Sequence, residues 1–282
     1  MTSLILVILS AGVLFGNRNK IVKVLDKMVP FMAALYLIVV FYIIVKNIGL
    51  MGTTMVDIFE HAFGVKQFLG GTFGSVVMEG VKRGLFSNEA GMGSAPNAAA
   101  TANVSHPVKQ GLIQTLGVFT DTLLICSATA FIILISGESL KGVSDGIQLT
   151  QDALVSEVGS WGAIFIAVCI FMFAFSSVIG NYYYGEANIE FLNGNKVWLN
   201  AYRVCVVGMV MFGSLAKIQV VWDMADLFMG IMAVINLIAI GLLGKISIEA
   251  LKDYRAQKAQ GLDPKFRKSS IPGLKNVECW ED

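Results

Sequence analysis

Charge is what this sequence has least of. Only 15% of its 282 residues are Asp, Glu, Lys or Arg, against about 25% in an ordinary soluble domain. The shortage is uneven. Residues 1–244 carry 27 charges, 13 basic and 14 acidic, whereas residues 245–282 carry 14. A block of that length with so few charges cannot cover itself against water, which excludes an ordinary cytosolic enzyme. The net charge of +1 excludes a polycationic nucleic-acid binder, because no basic face exists to replace phosphate counterions. Cysteine is scarce as well. Cys126, Cys169, Cys205 and Cys279 are widely spaced without a CxxC, and three lie in apolar stretches. They read as small buried hydrophobes rather than disulfide or metal ligands. With only His61 and His106, there is no basis for a His/Cys zinc site.

What the chain does have is long apolar runs. Hydrophobic residues make up 55% and the mean hydropathy is +0.69. A helix crossing a bilayer needs about 20 mostly apolar residues. Charge-free windows of that kind occur at 1–17, 28–45, 110–137 (broken only by Asp121), 158–185, 197–216 (interrupted by Arg203) and 227–244. Residues 1–17 lack the basic start of a signal peptide and read as a retained helix. Counting a further crossing at 72–102 gives seven spans. The expected organisation is all-α integral membrane: a transmembrane helical domain over 1–244 and a polar tail over 245–282. The loop after the first span carries Arg18, Lys20, Lys23 and Lys27, and the tail carries eight Lys or Arg. Seven spans put both on one side, which the positive-inside rule makes cytoplasmic. Residues 138–157 form an acidic loop on the opposite side. Trp161, Tyr182, Tyr183, Tyr184, Trp198 and Trp222 sit at span ends, as interfacial aromatic belts do.

Residues 70–102, GGTFGSVVMEGVKRGLFSNEAGMGSAPNAAATA, are long enough to cross but hold Glu79, Lys82, Arg83, Glu89 and many glycines. Hydropathy rejects a lipid-facing helix here. The expectation is a broken helix inside a bundle, because irregular backbone at membrane depth survives only where it is buried in protein or lines a cavity. Glu79 and Arg83 have the i,i+4 spacing of a favourable pair. The start of the second half-helix suits a carboxylate, since its N–H groups are unpaired and its dipole end is positive. A tightly packed Gly/Ala helix without a ligand is the competing reading. Thr115, Thr122 and Thr129 recur every seven residues beside Asp121, which suggests either a pathway lining or interhelical hydrogen bonds. Ser176 and Ser177 form a polar pair in FAFSSVIG, offering hard oxygen ligands to a cation or a helix-packing contact.

The run KRGLFSNEAGMGSAPNAAATANVSHPVKQGL (82–112) resembles the signature of the alanine or glycine:cation symporter family, also called sodium:alanine symporters. VFTDTLLICSATAFIIL (118–134), KMVPFMAALY (27–36), FMFAFSSVIGNYYYGE (171–186) and VWDMADLFMGIMAVINLIAI (221–240) are similar to the same family. The resemblance implies a LeuT-type inverted-repeat transporter fold, of which these spans look like core helices four to ten only. It implies symport of alanine or glycine with sodium, or with protons in some members, in the plasma membrane, with a cytoplasmic C-terminus and without an enzymatic cofactor. It assigns Phe86, Ser87, Asn88, Glu89, Gly91 and Gly93 to the substrate, partly through backbone groups, and Ser176 and Ser177 to sodium. Core helices one to three have no counterpart, so the resemblance implies half a site, in either a truncated reading frame or the second part of a split transporter whose N-terminal part would be a partner. Two other readings compete: a non-transporting membrane fragment or subunit, and an intramembrane serine hydrolase using Ser94 with His106 as base.

Overall fold

The computed structural model describes residues 2–16, 18–63, 73–137, 146–192, 194–274 and 280. Helices account for most of them: α1 (Thr2–Leu14), α2 (Arg18–Lys46), α3 (Ile48–Phe63), α4 (Phe73–Asn88), α5 (Ser94–Ala100), α6 (Pro107–Thr120), α7 (Ser127–Ser136), α8 (Ile147–Val158), α9 (Trp161–Leu192), α10 (Lys196–Leu215) and α11 (Ile218–Ala259). A six-residue π-helical turn, Asp121–Cys126, joins α6 to α7. No strand occurs among the described residues.

Among the described residues, five stretches are long and apolar enough to cross a membrane: Asp26–Lys46, Pro107–Ser136, Trp161–Leu192, Lys196–Leu215 and Ile218–Ala259. They coincide with five of the seven expected spans. The other two differ for a physical reason. Helix α1 has 13 residues, about 20 Å at 1.5 Å per residue, against a hydrocarbon core of about 30 Å. The 72–102 segment is divided into helices of 16 and seven residues. The expected acidic loop at 138–157 also differs, because α8 occupies 147–158 and buries Thr150, Ala153 and Leu154.

The chain forms two compact units: residues 1–84 with 121–221, and residues 85–120 with 222–282. The first is centred on α2, α7, α8 and α9. Tyr36, Val40 and Ile43 of α2 pack with Ala128 and Ile132, Ala153 and Leu154, and Ile166 and Cys169. Small residues on α7 and α8 let the helices approach closely. The Tyr36 hydroxyl and Thr129 Oγ1 are hydrogen-bonded at 2.7 Å. At the end of α2, Lys46 Nζ donates to the Glu157 carbonyl (2.7 Å), and Asn47 Nδ2 donates to the Glu157 carboxylate (2.7 Å). Glu157 thus ties the end of α8 to the end of α2.

A second polar knot lies between α9 and α10. Glu186 is 1% exposed. Its Oε1 accepts from Tyr182 (2.7 Å) and from Arg203 Nη2 (2.8 Å), and Arg203 Nε donates to the Tyr182 hydroxyl (2.9 Å). The Arg203 guanidinium also lies over Phe15 of α1. Tyr182 is therefore a buried core residue and not part of an interfacial belt, and Arg203 interrupts its span because it neutralises Glu186.

The second unit contains the tail. Helix α11 continues well past residue 244, and the chain beyond it folds back instead of trailing away. Phe266 and Ile271 pack with Ala250, flanked by Val108, Ile246, Leu274 and Trp280. The Phe266 N–H donates to the Ser105 carbonyl (2.8 Å), and the Trp280 indole N–H donates to the Val104 carbonyl (3.3 Å). The Gln257 side chain bonds both backbone groups of Lys265. Lys109 pairs with Asp263, and its ammonium holds that carboxyl below the usual carboxylate range.

Candidate functional site

The substrate segment expected from the sequence lies at the break between α4 and α5. Helix α4 ends at Asn88, whose Oδ1 accepts the Ala90 N–H (3.1 Å) in an Asx turn. Glu89 then adopts φ 57°, a left-handed conformation uncommon outside glycine, while its N–H still closes a helical bond to the Leu85 carbonyl (3.1 Å). Gly93 has φ 91° and starts α5. The break is therefore bracketed by two left-handed residues, and only at Gly93 does a missing Cβ remove the conformational cost.

The backbone within the break is not left bare. The Glu89 carbonyl accepts from Ser94 Oγ (3.4 Å), the Gly93 carbonyl from Asn97 Nδ2 (3.0 Å) and the Gly91 carbonyl from Asn236 Nδ2 (3.0 Å). Ser94 is buried. These side chains replace the helical hydrogen bonds lost at the break, as backbone in a membrane protein requires. The carbonyls of Glu89, Gly91 and Gly93 are therefore already engaged within the protein. Helix α5 spans about two turns, so its dipole end is correspondingly weak.

Phe86 is partly exposed and meets Trp222 edge-on, with ring centroids 5.6 Å apart. Trp222 is thereby a partner of the segment and not simply an interfacial anchor. Ser87 is exposed on the last turn of α4. Neither sequence pattern nor hydropathy marks Asn236. The available signal was one amide in the apolar run VINLIAI, because an unused polar group there would be costly. The Glu79 side chain lies outside the described residues, and the Glu79–Arg83 pairing with it.

Ser176 and Ser177 sit on α9, in the other compact unit. Ser176 is half-buried and donates to the Phe173 carbonyl (2.9 Å), and the Ser177 carbonyl accepts from Asn181 (3.0 Å). A hydroxyl whose proton is directed to a carbonyl keeps oxygen lone pairs for a cation.

The threonine stripe is altered. The π-turn at 121–126 shifts the helical phase, so the seven-residue spacing no longer marks one face. Thr129 bonds Tyr36 and the Ile125 carbonyl, which makes it a packing residue. The Thr122 carbonyl accepts from Ser127, and Asp121 accepts from the Cys126 thiol. Thr115 is exposed and lines an open, mostly apolar groove with Ala95, Ala99, Gln110 and Gln114. His106 is fully buried. Its Nδ1 accepts the Val108 N–H (3.2 Å) and its Nε2 faces Asp253 Oδ2 (3.2 Å). This geometry assigns the neutral Nε2–H tautomer and occupies both nitrogens, so His106 cannot serve Ser94 as a base.

The sequence as a whole has close relatives. It is 54% identical to the amino-acid carrier protein AlsT of Bacillus subtilis, over all of this chain and 60% of that protein. It is 52% identical to the probable sodium/glutamine symporter GlnT of the same organism, over 98% of this chain and 58% of that protein. It is 38% identical to the sodium/proton-dependent alanine carrier protein of Bacillus sp. strain PS3, over all of this chain and 67% of that protein. The chain thus spans about three fifths of the length of the first two. The family model for sodium:alanine symporters matches residues 1–268. With its long apolar helices, the chain is a multi-pass membrane protein, and it belongs to the sodium:alanine symporter family.

Proposed function

We propose that this chain forms part of a cation-coupled symporter that moves a small neutral amino acid, alanine or glycine, across the cell membrane. The observation that carries the reading is the helix break at Glu89–Gly93, bracketed by left-handed residues and flanked by Phe86 and Asn88. An interrupted helix gives a substrate backbone groups and polar side chains that a continuous helix withholds. Phe86, Ser87, Asn88, Glu89, Gly91 and Gly93 contribute to the substrate site, and Ser176 and Ser177 contribute hydroxyls to sodium. The relatives' names support amino-acid substrates and sodium or proton coupling. In this reading the architecture is of the LeuT type, the chain crosses the membrane seven times and the tail faces the cytoplasm. The remainder of the site comes from a portion equivalent to the rest of the relatives' length.

The test is uptake of radiolabelled alanine into proteoliposomes, driven by an inward sodium gradient. The chain is reconstituted alone and with the N-terminal portion of a full-length relative. Glycine and glutamine are added as competitors. Gradient-dependent uptake, displaced by glycine, is expected. Uptake indifferent to both sodium and proton gradients in either preparation overturns the proposal.

A further inference from the structure

We infer that Asn236 is a positioning residue for the substrate segment, and that its amide sets substrate affinity by holding Gly91 and Gly93 in their broken conformation. The inference rests on the function proposed above.

Two observations converge on this side chain. Asn236 Nδ2 donates to the Gly91 carbonyl at 3.0 Å across 145 residues of sequence. The same side chain also fills the space beside Gly93: a Cβ built there would meet the Asn236 Cβ, Cγ and Oδ1, each at 3.2 Å. One amide thus satisfies a carbonyl in the middle of the break and packs against the left-handed residue that ends it. Ser94 and Asn97, which cap the neighbouring carbonyls, lie on α5 itself and would move with it. Asn236 lies on α11, so its bond ties the break to a different helix. On this inference, that tie holds the middle of the break, Gly91 and Gly93, in place relative to α11. Without it, the Gly91 carbonyl is left to find another donor in an apolar environment, which drives the segment to rearrange.

The test compares Asn236→Leu, nearly isosteric but without a donor, with Asn236→Gln, which keeps the donor. Both are made in the preparation that supports wild-type uptake. Leu is expected to raise the KM for alanine about tenfold with little change in maximal rate per folded molecule, and Gln is expected to recover most of the affinity. A merely structural role would lower the amount of folded protein and leave KM alone. An unchanged KM in the Leu variant overturns the inference. If Leu fails to fold, Asn236→Ser provides the same comparison, and an unchanged KM there is equally decisive against it. Amide hydrogen exchange of residues 85–97 reads the anchor without transport. Faster exchange at the break in the Leu variant supports the inference, and unaltered exchange refutes it. Absent wild-type uptake with faster exchange in the variant would refute the proposed function while leaving the anchor intact.

Discussion

Removing Arg203 should be among the most damaging single changes to this chain, and restoring neutrality should reverse most of the damage. Glu186 is 1% exposed, and its Oε1 accepts from Arg203 at 2.8 Å and from Tyr182 at 2.7 Å. In Arg203→Met, the Tyr182 hydroxyl remains as one neutral donor to a buried carboxylate. Breaking a buried pair by deleting one partner costs about 3–5 kcal/mol, whereas replacing both by apolar groups of similar volume is close to neutral. The Arg203 side chain is 24% exposed, so water relieves part of the strain and the lower end, about 3 kcal/mol, is expected. Loss of the contact over Phe15 adds about 0.5–1 kcal/mol. The double variant Arg203→Met/Glu186→Leu should recover at least half of the loss. The assay is a reversible denaturant titration in mixed micelles, followed by tryptophan fluorescence, over the full double-mutant cycle. If the single Arg203 variant lost less than about 1 kcal/mol, or the double variant were no better than the single, the buried pair would not be stabilising this helix junction.

Three further predictions concern the second unit. Gly93→Ala forces an L side chain into φ 91° and against Asn236, at a conformational cost of about 1–2 kcal/mol. It should impair substrate binding more than Gly80→Ala, where a Cβ meets nothing within 4 Å, as read by ligand-induced thermal stabilisation of each variant. The folded tail should loosen in Phe266→Ala, because Phe266 is 7% exposed and truncating a buried Phe costs about 3–5 kcal/mol. The readout is limited proteolysis after residue 259, with unchanged cleavage as the contrary result. The Lys109–Asp263 contact has a depressed carboxyl pKa, so its contribution is present above the ordinary Asp value near 4 and is lost as pH falls through the lowered folded-state value. Tail cleavage in wild type should therefore rise on acidification by more than in Asp263→Asn.

Much of the candidate site was legible because it is local. The glycines, the charges and the SNEAG motif mark a helix that cannot be continuous in lipid, and the chain breaks at 89–93 within that stretch. The threonine spacing left two roles open; Thr129 makes an interhelical bond to Tyr36, and the π-helical turn at 121–126 changes the helical phase along the run. Tyr182 was misplaced at an interface because an aromatic at a span end has the same signature whether it faces headgroups or a neighbour; Trp222, exposed at a helix start, also packs on Phe86.

The sequence by itself determined that this is a helical membrane protein, where the five long spans among its described residues lie and where one helix breaks. Those properties follow from the transfer energetics of contiguous residues, which any short window reveals. Only the tertiary structure decided which polar groups satisfy one another. Arg203 meets Glu186, His106 meets Asp253 across 147 residues, and Asn236 meets Gly91 across 145. In a low-dielectric interior each polar group must find a partner. The sequence states the need, but the partner is chosen by how the helices are brought together.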